Sequence, residues 1–174
     1  MNYATLRTHD VANGPGVRVS LFVSGCTHRC PGCFNAEAWD FGYGEPFTEA
    51  IADKIIAALS PDYIKGFSLL GGEPFEPCNQ AVLAPLLERI KKEHPDKTVW
   101  CYSGYDFEKD IRVHRLGDAE VTDRMLACID VLVDGEFVES KKDLSLRFRG
   151  SSNQRIIDVP ASFASDEVVL WGEK

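Results

Sequence analysis

Three cysteines lie within one short stretch of the chain, CTHRCPGC, at Cys26, Cys30 and Cys33. Thiolate sulfur is a ligand for iron and for zinc. In a 4Fe-4S cluster each iron takes one terminal ligand, so three cysteines hold three irons and leave the fourth open to a small molecule. The cysteine spacing therefore predicts an iron-sulfur centre with one reactive iron.

Zinc is the alternative metal, because three cysteines and one histidine form a recognised structural zinc set and His28 lies between Cys26 and Cys30. Structural zinc sites usually join two separated pairs of ligands. Here all four ligands would come from one loop. The spacing favours iron and sulfur but leaves zinc open.

The other cysteines, Cys78, Cys101 and Cys128, stand singly in or beside apolar segments. We expect them to be small buried side chains without chemistry. Six cysteines in 174 residues are too sparse for a disulfide-rich secreted scaffold, and the chain has no signal-peptide pattern. A reducing, cytoplasmic setting is therefore expected.

Length and composition indicate a single domain over residues 1–174, since 44% of the residues are hydrophobic and can fill one core. The net charge of -8 argues against a nucleic-acid partner, which would need clustered lysine and arginine. No apolar run approaches the roughly 20 residues that a membrane helix needs, so no membrane partner is expected.

Strand-like and helix-like segments alternate along the chain, which is typical of a mainly parallel sheet covered by helices. The predicted strands are Val17–Val23, Phe67–Leu70, Thr98–Tyr102 and Val131–Val133. Helices are predicted over Thr48–Leu59 with Thr48 as N-cap, after Asn79 as N-cap, and around Asp123–Ile129.

Each predicted strand ends at a loop that contains glycine, and the first of these loops carries the cysteines. In parallel α/β folds ligands bind where such loops converge, at the carboxyl ends of the strands. A complete eight-unit barrel takes about 250 residues, so this length allows five or six β/α units. We therefore expect an open, partial β/α barrel, whose lateral opening would suit a large substrate.

The cysteine loop followed by Gly71-Gly72-Glu73-Pro74 after another strand resembles the radical S-adenosylmethionine (SAM) superfamily. The flanking motifs narrow this resemblance to glycyl-radical activating enzymes, and among them to activators of anaerobic ribonucleoside-triphosphate reductases. They are Asn13–Arg18 (NGPGVR), Cys30–Asn35 (CPGCFN), Ser103–Tyr105 (SGY), Val131–Gly135 (VLVDG) and Arg149–Gln154 (RGSSNQ). The resemblance covers residues 13–154 and leaves 156–174 as an extension of unknown role.

This resemblance implies an oxidoreductase with one 4Fe-4S cluster and SAM as cofactors. An electron from the reduced cluster would cleave SAM to a 5'-deoxyadenosyl radical, which would install a glycyl radical on the reductase. A reducing partner such as a flavodoxin-type protein is also implied. The alternatives are another glycyl-radical enzyme or a small molecule as substrate, or a non-enzyme that acts as an electron carrier or zinc-stapled binding module.

The same resemblance assigns site residues one by one. Cys26, Cys30 and Cys33 would ligate the cluster, and no catalytic residue is implied beyond these ligands. The cofactor would be approached by the following residues: Gly32, Cys33, Phe34, Gly71, Gly72, Glu73, Ser103 and Asp134. A glycine pair permits close approach of backbone because it has no Cβ. Glu73 could bind the ammonium group of SAM or brace its own loop, and Ser103 and Asp134 could instead be turn formers.

A basic segment runs from Lys141 to Arg155. It contains one acidic residue, Asp143, and five basic residues: Lys141, Lys142, Arg147, Arg149 and Arg155. The sequence leaves open whether this segment is a solvated loop or binds the cofactor or the partner by charge-assisted pairing. His9, His28, His94 and His114 show no ligand spacing, so we expect them to be surface or packing residues.

Overall fold

The computed structural model describes residues 1–172. Its strands are β1 (Asn2–Asp10), β2 (Val17–Val23), β3 (Glu45–Pro46), β4 (Ile64–Gly71), β5 (Thr98–Tyr102), β6 (Val131–Asp134) and β7 (Arg155–Asp158). Its helices are α1 (Glu49–Leu59), α2 (Pro77–Glu93), α3 (Ala119–Leu126) and α4 (Val159–Ser165), with short helical turns at Ala36–Trp39, Phe107–Ile111 and Glu139–Lys141.

The strands form one seven-stranded sheet in the order β3-β1-β2-β4-β5-β6-β7. Only the central strands β2, β4, β5 and β6 are parallel to one another, whereas β1, β3 and β7 pair antiparallel at the edges. The α/β class is confirmed. In place of the five or six β/α units expected, the described chain has four parallel strands, because the residues at both ends form antiparallel edge strands.

The start of α2 differs from the sequence prediction, because the helix begins at Pro77 and Asn79 lies in its first turn. Proline is well suited to a first helical position, where its missing N–H is not needed. The Asn79 side chain is fully buried and donates to the carbonyl oxygens of Ser24 and Glu73 at 3.0 and 2.9 Å. It therefore ties α2 to the loops after β2 and β4.

The two faces of β2 have different surroundings. Val19, Leu21 and Val23 belong to the main apolar core that also contains α1 and α2 side chains. On the other face Arg18 is fully buried, and its guanidinium donates to the Ser68 hydroxyl and to the carbonyl oxygens of Phe67 and Thr98. Burial lowers the pKa of Arg18 to about 10, so it remains charged at neutral pH.

The C-terminal extension completes one edge of the sheet. β7 pairs with β6, Ile157 forms a bridge to Leu170, and the Trp171 ring packs 5.0 Å from Trp100, centroid to centroid. Residues 156–171 of the extension 156–174, whose role the sequence left open, therefore have a structural role, and residues 173–174 lie outside the described chain. No helix within residues 1–172 is long and apolar enough to cross a membrane.

Candidate metal centre and cofactor site

The three cysteines of the CTHRCPGC loop line one cavity of about 350 Å³, which we call the cysteine cavity. The loop follows β2, and its backbone is fixed by bonds from Gly25 N to Ala38 O at 2.8 Å and from Cys26 N to Trp39 O at 3.2 Å. The predicted residues Phe34, Gly71, Gly72, Glu73 and Ser103 line the same cavity. Loops after β2, β4 and β5 therefore meet there, as parallel strands predict.

The buried Glu76 at the start of α2 binds the cysteine loop through two hydrogen bonds. Glu76 Oε1 accepts hydrogen bonds from the backbone N–H and the hydroxyl of Thr27, at 2.8 and 2.6 Å. Sequence reasoning did not identify Glu76. The only feature of the sequence that pointed to Glu76 was its position two residues after Gly72-Glu73-Pro74. The structure shows that Glu76 is buried. This contact holds Thr27, the residue after Cys26, next to α2.

The glycine pair allows close packing of backbone on backbone. Gly72 N donates to Val23 O at 2.7 Å, and Glu73 N donates to Gly25 O at 2.8 Å. A Cβ added to Gly72 would lie 2.5 Å from Gly25 O, and Gly71 has a φ of +112°, which L side chains rarely adopt. The pair thus brings the end of β4 against the base of the cysteine loop, besides lining the cavity.

We expect Gly72→Ala to destabilise the protein by about 2 kcal/mol, because its Cβ must push apart two hydrogen-bonded backbone segments. This packing role adds to the close approach to the cofactor that the sequence predicts for the pair. Gly172→Ala is the matched control, since no atom of residues 1–172 lies within 4 Å of a Cβ there. Urea unfolding of the metal-free proteins measures the difference. Equal midpoints for the two variants would contradict the packing role.

The buried carboxylate of Glu73 joins two loops of the site. Its Oε1 accepts from Phe75 N and from the Ser103 hydroxyl, both at 2.9 Å, and its Oε2 accepts from Gly104 N at 2.7 Å. A carboxylate with three protein donors is held in one orientation. Of the two roles that the sequence left open, the bracing role therefore has direct contacts, while Glu73 and Ser103 still present surface to the cavity.

His28 also lies in the cysteine cavity, which the sequence did not predict. Its Nδ1 lies 2.8 Å from Glu136 and its Nε2 3.3 Å from Glu73, and its ring packs on Tyr105 at 4.2 Å between centroids. Burial lowers the pKa of His28, but Glu73 and Glu136 outweigh burial and raise it to about 9. Both ring nitrogens face carboxylates, so the zinc alternative gains no support from His28.

Asp134 has partners that the sequence did not reveal. Its carboxylate accepts from Arg155 Nε at 3.0 Å, from Arg155 Nη2 at 2.5 Å and from Phe107 N at 2.9 Å. Asp134 is not among the residues that line the cysteine cavity. These contacts give Asp134 a structural role, in which it links β6 to β7 and to the turn at Phe107–Ile111, while its cofactor contact stays a prediction.

Gly32 and Phe34 flank the third cysteine but differ in their surroundings. Gly32 has a φ of +73°, and a Cβ there would lie 2.7 Å from the Glu139 carboxyl carbon. It lines a neighbouring groove and not the cysteine cavity. Phe34 borders both, and 80% of its surface is exposed. Phe34 is thus free to contact a ligand or a partner.

The other three cysteines lie outside the cysteine cavity. Cys101 and Cys128 are buried, as predicted, whereas Cys78 is exposed in the first turn of α2. None of the three lines the cysteine cavity. The cavity therefore brings together only the three cysteines of the loop.

The donor set of the cavity fits an iron-sulfur cluster. Three sulfur donors line one wall, and within residues 1–172 no three His, Cys, Asp or Glu side chains are gathered closely enough to hold a single ion. A cluster spreads its cysteine ligands over several irons. Burial raises the pKa of the Cys26 thiol to about 11 and also raises that of Cys30. Cluster assembly must therefore displace their protons.

Comparison with known proteins agrees with this site. Residues 12–157 match the family described as a 4Fe-4S single cluster domain. The chain is 44% identical over 158 residues to the anaerobic ribonucleoside-triphosphate reductase-activating protein of Vibrio cholerae, covering 90% of this chain and 97% of that protein. It is 45% identical over 156 residues to the Escherichia coli K12 protein of that name, with coverages of 88% and 96%.

A more distant relative carries the same name. The activating protein of Enterobacteria phage T4 is 38% identical over 156 residues, which cover 90% of this chain and 93% of the phage protein. Near-complete coverage in both directions means that the similarity extends well beyond the cysteine motif. The chain therefore belongs to the family of anaerobic ribonucleoside-triphosphate reductase-activating proteins.

Proposed function

We propose that this protein is a radical SAM enzyme that installs a glycyl radical on the anaerobic ribonucleoside-triphosphate reductase. The observation that carries the proposal is the cysteine cavity, where Cys26, Cys30 and Cys33 face the Gly71–Glu73 loop and Ser103. An electron carrier or a zinc-stapled module would not need a ligand cavity beside its cysteines. The name of the relatives, anaerobic ribonucleoside-triphosphate reductase-activating protein, supports the reductase as substrate.

The cluster and SAM would occupy the cysteine cavity, with the three thiolates as cluster ligands. When bound, they would supply one-electron cleavage of SAM to methionine and a 5'-deoxyadenosyl radical, which could take a hydrogen atom from a glycine Cα to give 5'-deoxyadenosine and a glycyl radical. The residues of the chain position these groups and exclude water. Gly71 and Gly72 line the cavity without side chains, and Glu73 fixes Ser103 and Gly104, which also line it.

The parallel strands β2, β4, β5 and β6 would form the partial β/α barrel of the radical SAM type, as one domain over residues 1–174. Support comes from the common edge at which their loops meet. The antiparallel strands at the two edges of the sheet, β3 and β7, would bound an opening at the side, through which a loop of a large protein could reach the cavity. A reducing protein of the flavodoxin type would deliver the electron.

Tyr102 is a candidate contact for the ligand of this cavity. Its ring lines the cavity, and its buried hydroxyl has no hydrogen-bond partner among the described residues. An unpaired buried hydroxyl costs about 1–3 kcal/mol, which a bound acceptor would recover. We expect Tyr102→Phe to leave the metal-free protein equally or more stable, yet to weaken SAM binding to the cluster-loaded protein about fivefold.

Thermal unfolding and equilibrium SAM binding of the Tyr102→Phe protein make this measurement. Tyr63→Phe serves as control, because Tyr63 hydrogen-bonds His9 and does not line the cavity. A destabilised Tyr102→Phe protein with normal SAM affinity would assign the hydroxyl a structural role instead.

Anaerobic reconstitution with iron and sulfide, followed by reduction with SAM and the reductase, tests the proposed function. We expect release of 5'-deoxyadenosine and a doublet radical signal in electron paramagnetic resonance. The main splitting should disappear when the glycine Cα of the reductase carries deuterium, and a sample without SAM should stay silent. SAM cleavage without a radical on the reductase, and with consumption of a small molecule instead, would contradict the proposal.

A further inference from the structure

A second cavity lies beside the cysteine cavity and opens to solvent. We call it the rim groove; it has a volume of about 320 Å³ and is lined by residues that include Phe34, Phe137, Lys142, Leu144, Leu146 and Arg149. Of these, Phe34, Phe137, Leu146 and Arg149 also line the cysteine cavity. The rim groove is therefore continuous with the site of the three cysteines.

The rim groove exposes two large apolar side chains that face the same space. Leu144 is 92% exposed and Phe34 is 80% exposed, and they come from segments that are far apart in sequence. Scattered exposed apolar residues are common, but apolar residues from separate segments that line one groove mark a contact site. Covering them removes apolar surface from water, which favours association.

Two cationic side chains, Lys142 and Arg149, line the rim groove. Lys142 has no ion pair within the described residues, and Arg149 donates to the carbonyl oxygen of Gln154 and not to a carboxylate. Asp143 also lines the groove and accepts hydrogen bonds from the backbone and hydroxyl of Ser145, and the Glu139 carboxylate lies against Gly32, another lining residue. Lys142 and Arg149 are therefore the two side chains of the groove that can pair with carboxylates of an acidic segment.

We propose that the rim groove binds a segment of the reductase in which an apolar side chain, seated between Leu144 and Phe34, is flanked by acidic residues that pair with Lys142 and Arg149. This proposal rests on the proposed function, because the groove would hold the reductase while its glycine reaches the cysteine cavity. The proposal also gives the basic segment Lys141–Arg155 a role, because its residues Lys142 and Arg149 would bind the partner and not the cofactor.

The test uses Leu144→Glu and Lys142→Glu in the complete, cluster-loaded protein. Both side chains lie outside the cysteine cavity, so SAM cleavage in the absence of the reductase should keep its normal rate. We expect the Kd for the intact reductase, measured without oxygen by a direct binding assay, to rise at least tenfold for each variant. Glycyl-radical yield at limiting reductase should fall in parallel, and added salt should weaken wild-type binding more than that of Lys142→Glu.

Val113→Glu is the matched control, because Val113 is 52% exposed and lines neither cavity. Its reductase affinity should remain that of the wild type. If Leu144→Glu and Lys142→Glu bind the reductase as tightly as the wild type, and the wild type forms the radical normally, the rim groove is not the docking site. The proposed function would then remain intact. Failure of the wild type itself to form a radical on the reductase would overturn both. Weakened self-association of the variants with normal reductase binding would assign the groove to a second copy of this chain and also overturn the proposal.

Discussion

Replacing Cys26 with alanine is expected to abolish the intact 4Fe-4S cluster, SAM cleavage and radical formation on the reductase. Cys26 lines the cysteine cavity together with Cys30 and Cys33, and the described cavity wall offers no other cysteine to take its place. Iron and sulfide analysis after reconstitution, with absorption and electron paramagnetic resonance spectra, makes the measurement. Cys30→Ala and Cys33→Ala should behave in the same way.

The structure selects the control for this experiment. Cys78 is exposed, so Cys78→Ala should retain the cluster and the stability of the wild type, whereas alanine at the buried Cys101 would also disturb packing. A full cluster in Cys26→Ala together with its loss in Cys78→Ala would refute the ligand assignment.

The second large effect is expected for Glu73→Gln, which should lower the free energy of unfolding of the metal-free protein by about 3 kcal/mol. The carboxylate accepts from Phe75 N, Ser103 and Gly104 N, and an amide nitrogen in place of one oxygen would point a donor at a donor. The ion pair with His28 would be lost as well. Urea unfolding midpoints with an unchanged slope report the loss.

Glu88→Gln is the matched control, because it makes the same chemical change at an exposed ion pair with Arg124. Exposed pairs contribute about 1 kcal/mol or less. If Glu73→Gln cost no more than Glu88→Gln while SAM binding collapsed, Glu73 would serve the cofactor and not the two loops. Loss of stability together with weaker SAM binding would support both roles.

The sequence predicted the central strands well because their apolar runs are local patterns. The predicted bounds of β2 and β5 agree with the structure, and Thr48 precedes α1 as expected. The edge strands were missed for a physical reason. β1 and β7 are defined by antiparallel pairing with β2 and β6, and their half-buried residues give no clear local pattern.

By itself the sequence predicted which residues gather at the site, and it pointed to the family of the chain. The cysteine spacing and the glycine pair are short-range features, because a cluster loop and a close backbone approach each need particular residue types at fixed separations. The cysteine cavity contains all three cysteines together with Gly71, Gly72, Glu73 and Ser103. The family followed from the same motifs.

Only the tertiary structure decided how these residues are held. Glu76 binds Thr27 across 49 positions of sequence, and Glu73 binds Ser103 across 30. Asp134 pairs with Arg155 across 21 positions and so serves the sheet edge, although its place after a strand was typical of a ligand-binding residue. A polar side chain at a strand end can bind a ligand or brace a loop. Which of these it does depends on the donors that the fold brings within hydrogen-bonding distance, and those donors come from distant parts of the chain.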